Sequence, residues 1–561
     1  MVWSLRRVHR FSLALLGVVL AGTAADWIRE WWPVLVDPGI QIDDARTHLV
    51  GYHRYARDPL LVDDPVAGAC LAMQPWIARL FYAAATPVMG LHAAAKVAQA
   101  LCVAIGIWAA VVLARSRRWG LAAGALLGAA SLIFPWWIGG TPRQFGPPLL
   151  ALYIAGALAR RAPARFGAAL LASGIYPSAA ILMLATEGLL TLRRLGRQPL
   201  RRWPGLAAPF AAIVAACAAL AMLPRPGGAA LGPVVTLAEA RTNPDYRDGA
   251  RRLILDISPN PISKSIQEVV YEIGLLPVNP DNQERRGLPQ LVGAWLAVAG
   301  LAWLIVRRRV RIPLAAPAFW LAGAALYWLA SVLAFRLYLP QRYSEYGIGA
   351  GGIAFFIGFL TQIRLPGRPA RAHRAAANAL VAAGIAALWL AWGRTDRFGD
   401  IANTGRAPRA ALYDFAGSLP KDARFASHPY DGDDIPFWAG RASLCGYELD
   451  QPFFTKSWRS SVERTRATFA ALYATDRAAV LAFCDRWHIT HLLLRPDRYR
   501  DDFRKRAKYC DPFDAENKAR LRRLERGQLV LAEPPAEAVV FRDDRFLVLD
   551  VAALRAAWGV R

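Results

Sequence analysis

Along this chain hydrophobic residues gather into blocks close to 20 long, the length an α-helix needs to cross the hydrocarbon of a bilayer. The blocks lie near residues 11–32, 91–114, 119–138, 146–160, 203–223, 289–306, 312–335, 345–363 and 375–393. A further apolar stretch, 166–192, has Arg160, Arg161 and Arg165 before it and Arg193, Arg194 and Arg197 after it, with Tyr176-Pro177 in its middle. Proline removes a helix-interior hydrogen bond, so the pattern predicts two short helices turning at Pro177. That gives about eleven apolar segments. It also puts every basic cluster, including Arg115–Arg118, Arg193–Arg202 and Arg307–Arg311, on one side of the membrane. Read as a single span, 166–192 would place Arg307–Arg311 on the other side, against the positive-inside rule.

The predicted fold is a polytopic α-helical membrane protein with the N-terminus cytoplasmic. The first span follows Arg6, Arg7, His9 and Arg10 in the manner of a signal peptide, but its Trp27, Trp31 and Trp32 read as an interfacial belt and hence a retained anchor. Residues 1–393 form the membrane module, with outward loops at 33–90 and 225–288. Residues 394–561 form a small extracytoplasmic α/β domain: Thr475–His488 reads as an amphipathic helix, His491–Leu494 as a buried strand, and Val539–Phe541 with Phe546–Leu549 as a hairpin turning at Asp543-Asp544.

Composition sharpens this picture. At 561 residues, 55% hydrophobic and a mean hydropathy of +0.24, the chain is too apolar for an ordinary soluble fold. The formal charge of +26 comes from arginine clusters flanking apolar spans, which argues against a nucleic-acid groove. Six cysteines show no metal-ligand spacing, and although Cys70, Cys445, Cys484 and Cys510 would face an oxidising compartment, the spacing selects no disulfide pair.

The first loop carries the candidate chemistry: Asp43-Asp44-Ala45-Arg46-Thr47-His48, followed by Asp63-Asp64-Pro65. A helix beginning at Asp43 brings Arg46 and His48 near one face. Paired carboxylates beside a guanidinium and an imidazole suit reaction between a hydroxyl and a phosphate-linked group, with one carboxylate taking the proton and cations holding the leaving phosphate. The same run also reads as a solvated helix start with an internal ion pair, and Asp63-Asp64-Pro65 as a turn, with a second acid or a cation ligand as its alternative. A second cluster, Arg336 to Tyr343, sits at an outer span end, where Pro340 would break the helix and turn Arg342 toward the first loop; its bland reading is snorkelling arginines in an aromatic belt. Arg143, in the turn Thr141–Gln144, is a third cation there. In the tail, Asp431, Asp433 and Asp434 crowd into four residues without the rest of a calcium loop, and read as a polar loop facing the acceptor or simply as a turn.

The arrangement resembles the GT-C superfamily of integral membrane glycosyltransferases, most closely the bacterial branch of aminoarabinose transferase and protein O-mannosyltransferase relatives. Asp43-Asp44-Ala45-Arg46 is similar to that branch's Asp-Glu-x-Arg after the first helix, with Asp44 in place of Glu. The resemblance implies a sugar moved from a polyprenyl-phosphate donor to an extracytoplasmic hydroxyl of a glycan, lipid or protein, by direct inverting displacement at the plasma membrane. It makes Asp43 the base, with Asp44 beside it, and Arg46 a contact to the lipid phosphate. His48, Arg143, Arg336, Arg342 and Tyr343 join the substrate-binding set, and paired carboxylates leave room for a divalent cation. The alternatives are a non-catalytic envelope assembly protein or a transporter. A transporter calls for mid-membrane charge and internal repeats, whereas Lys96 and Glu187 lie near span ends.

Overall fold

The computed structural model describes residues 5–41, 43–116, 120–133, 139–223, 227–243, 287–288, 312–337, 339–360, 362, 370–392, 406–449, 451–500, 510, 512–522 and 526–559, with a few single positions besides. Most of these residues are helical, and a small sheet lies near the C-terminus. The chain begins with α1 (Leu5–Val36), α2 (Asp43–His48), α3 (Pro65–Met73) and α4 (Trp76–Met89). There follow α5 (Leu91–Ala114), α6 (Gly120–Ile133), α7 (Gly146–Leu158), α8 (Ala162–Ile175), α9 (Pro177–Leu195) and α10 (Trp203–Met222). Then come α11 (Ala315–Leu333), α12 (Gln341–Leu360) and α13 (Ala370–Trp392). Residues 301–311 and 244–286 lie outside the described residues, and with them Arg307–Arg311 and most of the second loop.

Among the described residues three helices are long and apolar enough to cross a membrane, Leu91–Ala114, Leu200–Leu220 and Ala315–Leu333. Their large apolar side chains stay partly outward, as with Ile107, Trp108, Leu321 and Trp328. Such surface is costly in water and at home against lipid tails. The stretch 166–192 does form two helices. The break falls at Tyr176, whose backbone (φ −143°, ψ 83°) leaves the helical region, and Pro177 starts α9 where its missing N–H costs nothing. At the far end of this pair from Tyr176, buried Glu187 accepts from the Tyr153 hydroxyl at 2.9 Å and meets Arg165 at 3.4 Å and Arg194 at 3.3 Å.

α1 packs on α13, with Leu16 buried against Val381, Ala382 and Ile385. α11 and α12 approach backbone to backbone. A Cβ on Gly323 would lie 2.8 Å from the Tyr343 carbonyl oxygen and 3.0 Å from the Gly347 Cα, so only hydrogen at both positions allows this crossing.

The C-terminal region builds β1 (Arg424–Ser427), β2 (Ala442–Ser443), β3 (His491–Leu494), β4 (Val539–Arg542) and β5 (Leu547–Asp550) into one sheet of order β2-β1-β3-β5-β4. β1 runs parallel to both β2 and β3, while β3–β5 and β5–β4 are antiparallel. β3 is buried along its whole length, which is why its sequence is continuously apolar after His491. The β4–β5 hairpin turns where expected, with Asp543 Oδ1 accepting from the Arg545 and Phe546 amides at 2.8 and 2.6 Å. Helices α14 (Ala410–Ser418), α15 (Ile435–Trp438) and α16 (Thr455–Leu472) pack around it. The six cysteines are buried thiols.

Gly323→Val should therefore lower the melting temperature of the detergent-solubilised protein, by overpacking worth about 1–3 kcal/mol. Gly349→Val, in the same helix pair with nothing within 4 Å of its Cβ, should leave the melting temperature unchanged or slightly higher, since valine is the better helix former. Equal losses in the two variants would contradict the close crossing.

Candidate active site

Helix α2 starts at Asp43, as its sequence suggests, and is a single short turn and a half that cannot hold itself together in isolation. Its neighbours hold it. The backbone of Asp43 and Asp44 forms its first residues; their side chains lie outside the described residues. Before it, the Lys96 ammonium on α5 donates to the carbonyls of Val34 and Ile40, pinning the chain between α1 and α2. Behind it, Gln74 Nε2 donates to the His48 carbonyl at 3.0 Å. The following turn, Val50–Tyr55, lies so close to α3 that a Cβ on Gly51 would sit 2.6 Å from the Leu71 Cβ and 2.7 Å from the Ala67 carbonyl oxygen. Asp64 caps α3, its Oδ2 accepting from the Ala67 amide at 2.8 Å with Pro65 at the first helical position; Asp63-Asp64-Pro65 is thus a turn and a cap.

Arg46, assigned by resemblance to a lipid phosphate, has a protein partner. Its Nη1 pairs with Oδ1 of Asp434 in the C-terminal region, and residue exposures of 8% for both place the pair away from bulk water. The other oxygen, Oδ2, accepts from the Tyr413 hydroxyl at 3.3 Å and faces Arg409 Nη1 at 3.7 Å. Beside this pair, His53 Nε2 donates to the Phe437 carbonyl at 2.9 Å, and the His92 ring stacks on Trp438 with centroids 5.1 Å apart. The Arg406 amide donates to the Gly39 carbonyl at 2.8 Å. Residues 37–55 are therefore seated between the helix bundle and the C-terminal region.

The three tail carboxylates separate to three tasks. Asp431 takes a two-point ion pair from Arg498, at 2.5 and 2.9 Å. Asp433 accepts from the Glu448 amide at 2.8 Å and the Leu449 amide at 3.3 Å, and Asp434 reaches Arg46. Neither the loop nor the turn that the sequence suggests for this run points to Asp434 as a partner of α2. Its only signal was the excess of carboxylates over local cations.

The expected second cluster divides. Arg336 is exposed on the turn Ala334–Leu337, and Tyr338 lies outside the described residues. The preceding helix ends at Leu333 and its following turn at Leu337, ahead of Pro340, and α12 starts at Gln341, so Arg342 and Tyr343 belong to its first turn. Tyr343 is buried, its hydroxyl donating to the Leu337 carbonyl at 2.7 Å, which makes it a strap across this corner. Arg342 pairs with Glu345 at 2.9 Å. Both Arg342 and Arg143 act electrostatically on the Tyr346 hydroxyl, and the Tyr346 ring meets Tyr176 edge-on at 5.9 Å. Arg143 and Arg342 thus share one corner with the Tyr176 break. Tyr82 ties the same end of the bundle together by donating to the Gly140 carbonyl at 2.7 Å.

Breaking a buried pair leaves a charge without compensation, so Asp434→Asn should destabilise by about 3–5 kcal/mol, read as a lower melting temperature, and Asp434→Glu should recover part of it. A silent Asp434→Asn would remove the proposed anchor of α2. His53 supplies a pH signature. Burial holds its pKa down from 6.5 to about 4, with the Phe437 carbonyl opposing the shift. Below about pH 6.5 an unfolded chain binds a proton that the folded one refuses. Stability should fall as pH drops from about 6.5 toward about 4, and a His53→Gln protein should lose that part of the slope.

No family model matches the chain, and no curated protein matches it in sequence. Among solved structures it is similar to ArnT from Cupriavidus metallidurans bound to undecaprenyl phosphate, at 17% identity and a TM-score of 0.47, covering 95% of this chain and 99% of that one. The apo state of the same protein gives 16% identity and a TM-score of 0.48, covering 95% and 98% of the two chains. It is also similar to AglB, an archaeal oligosaccharyltransferase from Archaeoglobus fulgidus in complex with an inhibitory peptide and a dolichol-phosphate, at 12% identity and a TM-score of 0.43, covering 89% of this chain and 71% of that one.

Proposed function

We propose that this protein is a membrane glycosyltransferase of the GT-C type, which moves a sugar from a polyprenyl-phosphate donor to an extracytoplasmic acceptor hydroxyl. The observation that carries the reading is the seating of the Asp43-Asp44-Ala45-Arg46 helix between bundle and C-terminal region, at the bundle end where Arg143 and Arg342 gather near Tyr346. In one displacement the acceptor oxygen attacks the sugar's anomeric carbon and the bond from that carbon to the phosphate oxygen breaks. The configuration inverts, and the acceptor proton passes to the Asp43 carboxylate. Arg143 and Arg342 stabilise the negative charge on the departing lipid phosphate. Arg46, paired with Asp434, fixes the angle of α2 and lends positive charge to its surroundings. A divalent cation would draw its ligands from Asp43, Asp44 and the substrates, since among the described residues no three His, Cys, Asp or Glu side chains gather as a metal requires.

One observation favours the second reading, a non-catalytic envelope assembly protein: Arg46 already has a structural partner in Asp434. Asp43→Asn separates the two. It should abolish transfer from a radiolabelled polyprenyl-phosphate sugar by at least about a thousandfold while leaving the melting temperature unchanged; retained transfer would sink the assignment of Asp43 as base. The topology is tested by an alkaline phosphatase reporter fused after Gly393, expected to be active outside the cytoplasm; a cytoplasmic signal would overturn the eleven-segment arrangement.

A further inference from the structure

A cavity of about 580 Å³ opens beside α3, in the seam with the C-terminal region. Its wall comes from the first loop (Arg54 and residues 62–73), Arg79 on α4, the short helix Gly228–Leu231 with the residue before it, Leu449 and Gln451, and the start of α16. Six charged side chains line it, Arg54, Arg79, Lys456 and Arg464 against Asp63 and Asp64. The cations therefore exceed the carboxylates by two. Arg79 and Arg464 are only 5% and 6% exposed, so their field acts within a partly enclosed, low-dielectric space.

The guanidinium groups are already oriented. Arg54 Nε donates to the Leu61 carbonyl at 3.1 Å and a second nitrogen to the Val62 carbonyl. Arg464 Nη1 donates to Ser460 Oγ at 2.9 Å, and Arg79 lies over the Trp76 ring, 5.6 Å from its centroid. A ligand entering such a site pays little to order it. The wall chemistry suits a group carrying up to two negative charges and several acceptor oxygens, which is a phosphate or a carboxylate.

Among the described residues Arg79 on α4 is the one bundle-helix residue lining this cavity, and none comes from α1 or from α5–α13. A polyprenyl chain has to run in the bilayer, so the donor phosphate belongs with Arg143 and Arg342 instead. α3, whose residues line the cavity, also touches α2. A single acceptor molecule can bridge the two. We propose that the cavity holds an acidic group of the acceptor, a phosphate or carboxylate anchored beside α3 while the reacting hydroxyl meets α2. The acceptor is then an acidic glycan or lipid. The assignment to the acceptor rests on the transferase reading; the anion site itself does not.

The test uses the full chain in neutral detergent, with inorganic phosphate titrated at constant ionic strength against chloride and binding read by calorimetry. Wild type should bind saturably. Lys456→Glu, an exposed change at the rim, should weaken phosphate by roughly tenfold or more. Arg459→Glu, exposed on the same helix outside the cavity, should not. Absent binding, or equal binding in wild type and Lys456→Glu, overturns the site. Binding that depends on Lys456 with phosphatidylglycerol vesicles, but fails with inorganic phosphate and phosphatidylcholine vesicles, makes it a bilayer headgroup site and overturns the acceptor assignment. In the transfer assay phosphate should compete with the acceptor; competition with the polyprenyl-phosphate donor would overturn the assignment. Asp43→Asn should keep phosphate binding, so loss of the transferase reading and loss of the anion site are read separately.

Discussion

A guanidinium and a carboxylate far apart in the chain, Arg46 and Asp434, meet where little water reaches them. Each alone would be too costly to leave there, because an uncompensated buried charge loses its hydration and gains nothing in return. The pair therefore forces two parts of the molecule to meet in one way. α2 is too short to persist by its own hydrogen bonds, so its place is set by this contact and by those beside it, His53 on the Phe437 carbonyl and the Gly39 carbonyl on the Arg406 amide. The chain's most chemically suggestive motif is thus held by residues from a different part of the sequence.

Charge is sorted along the molecule with the same economy. At one end of the α8–α9 pair, Glu187 gathers Arg165 and Arg194 into a closed set. At the other end Arg143 and Arg342 approach Tyr346, and beside α3 four cations face two carboxylates in the seam. The formal charge of +26 is therefore partly flank and partly architecture. The arginines in the seam are buried by contacts that no local pattern announces.

The sequence was most legible where a single element satisfies its own physics. The helical blocks followed from apolar length. The break at Tyr176-Pro177 followed from proline's missing donor together with arginines at both ends, and the structure has it there. His491–Leu494 reads as a buried strand because both its faces are covered, and the β4–β5 hairpin follows from the aspartates that accept its turn amides. Helix α12 begins a few residues earlier than its apolar block, because Gln341 to Tyr346 are polar or amphipathic yet still make the first helical turns. That shift moved Tyr343 from an interfacial anchor to a buried strap.

By itself the sequence determined the helical blocks that fall among the described residues, the small sheet's principal strands and the start of α2 at Asp43, since each rests on local periodicity, on proline or on capping chemistry. Only the tertiary structure decided which carboxylate Arg46 meets, how Asp431, Asp433 and Asp434 part company, and that Arg54, Arg79, Lys456 and Arg464 share one cavity. The physical reason is that burial and pairing are properties of surfaces brought together from distant parts of the chain, and the cost of desolvating a charge is set by what arrives beside it.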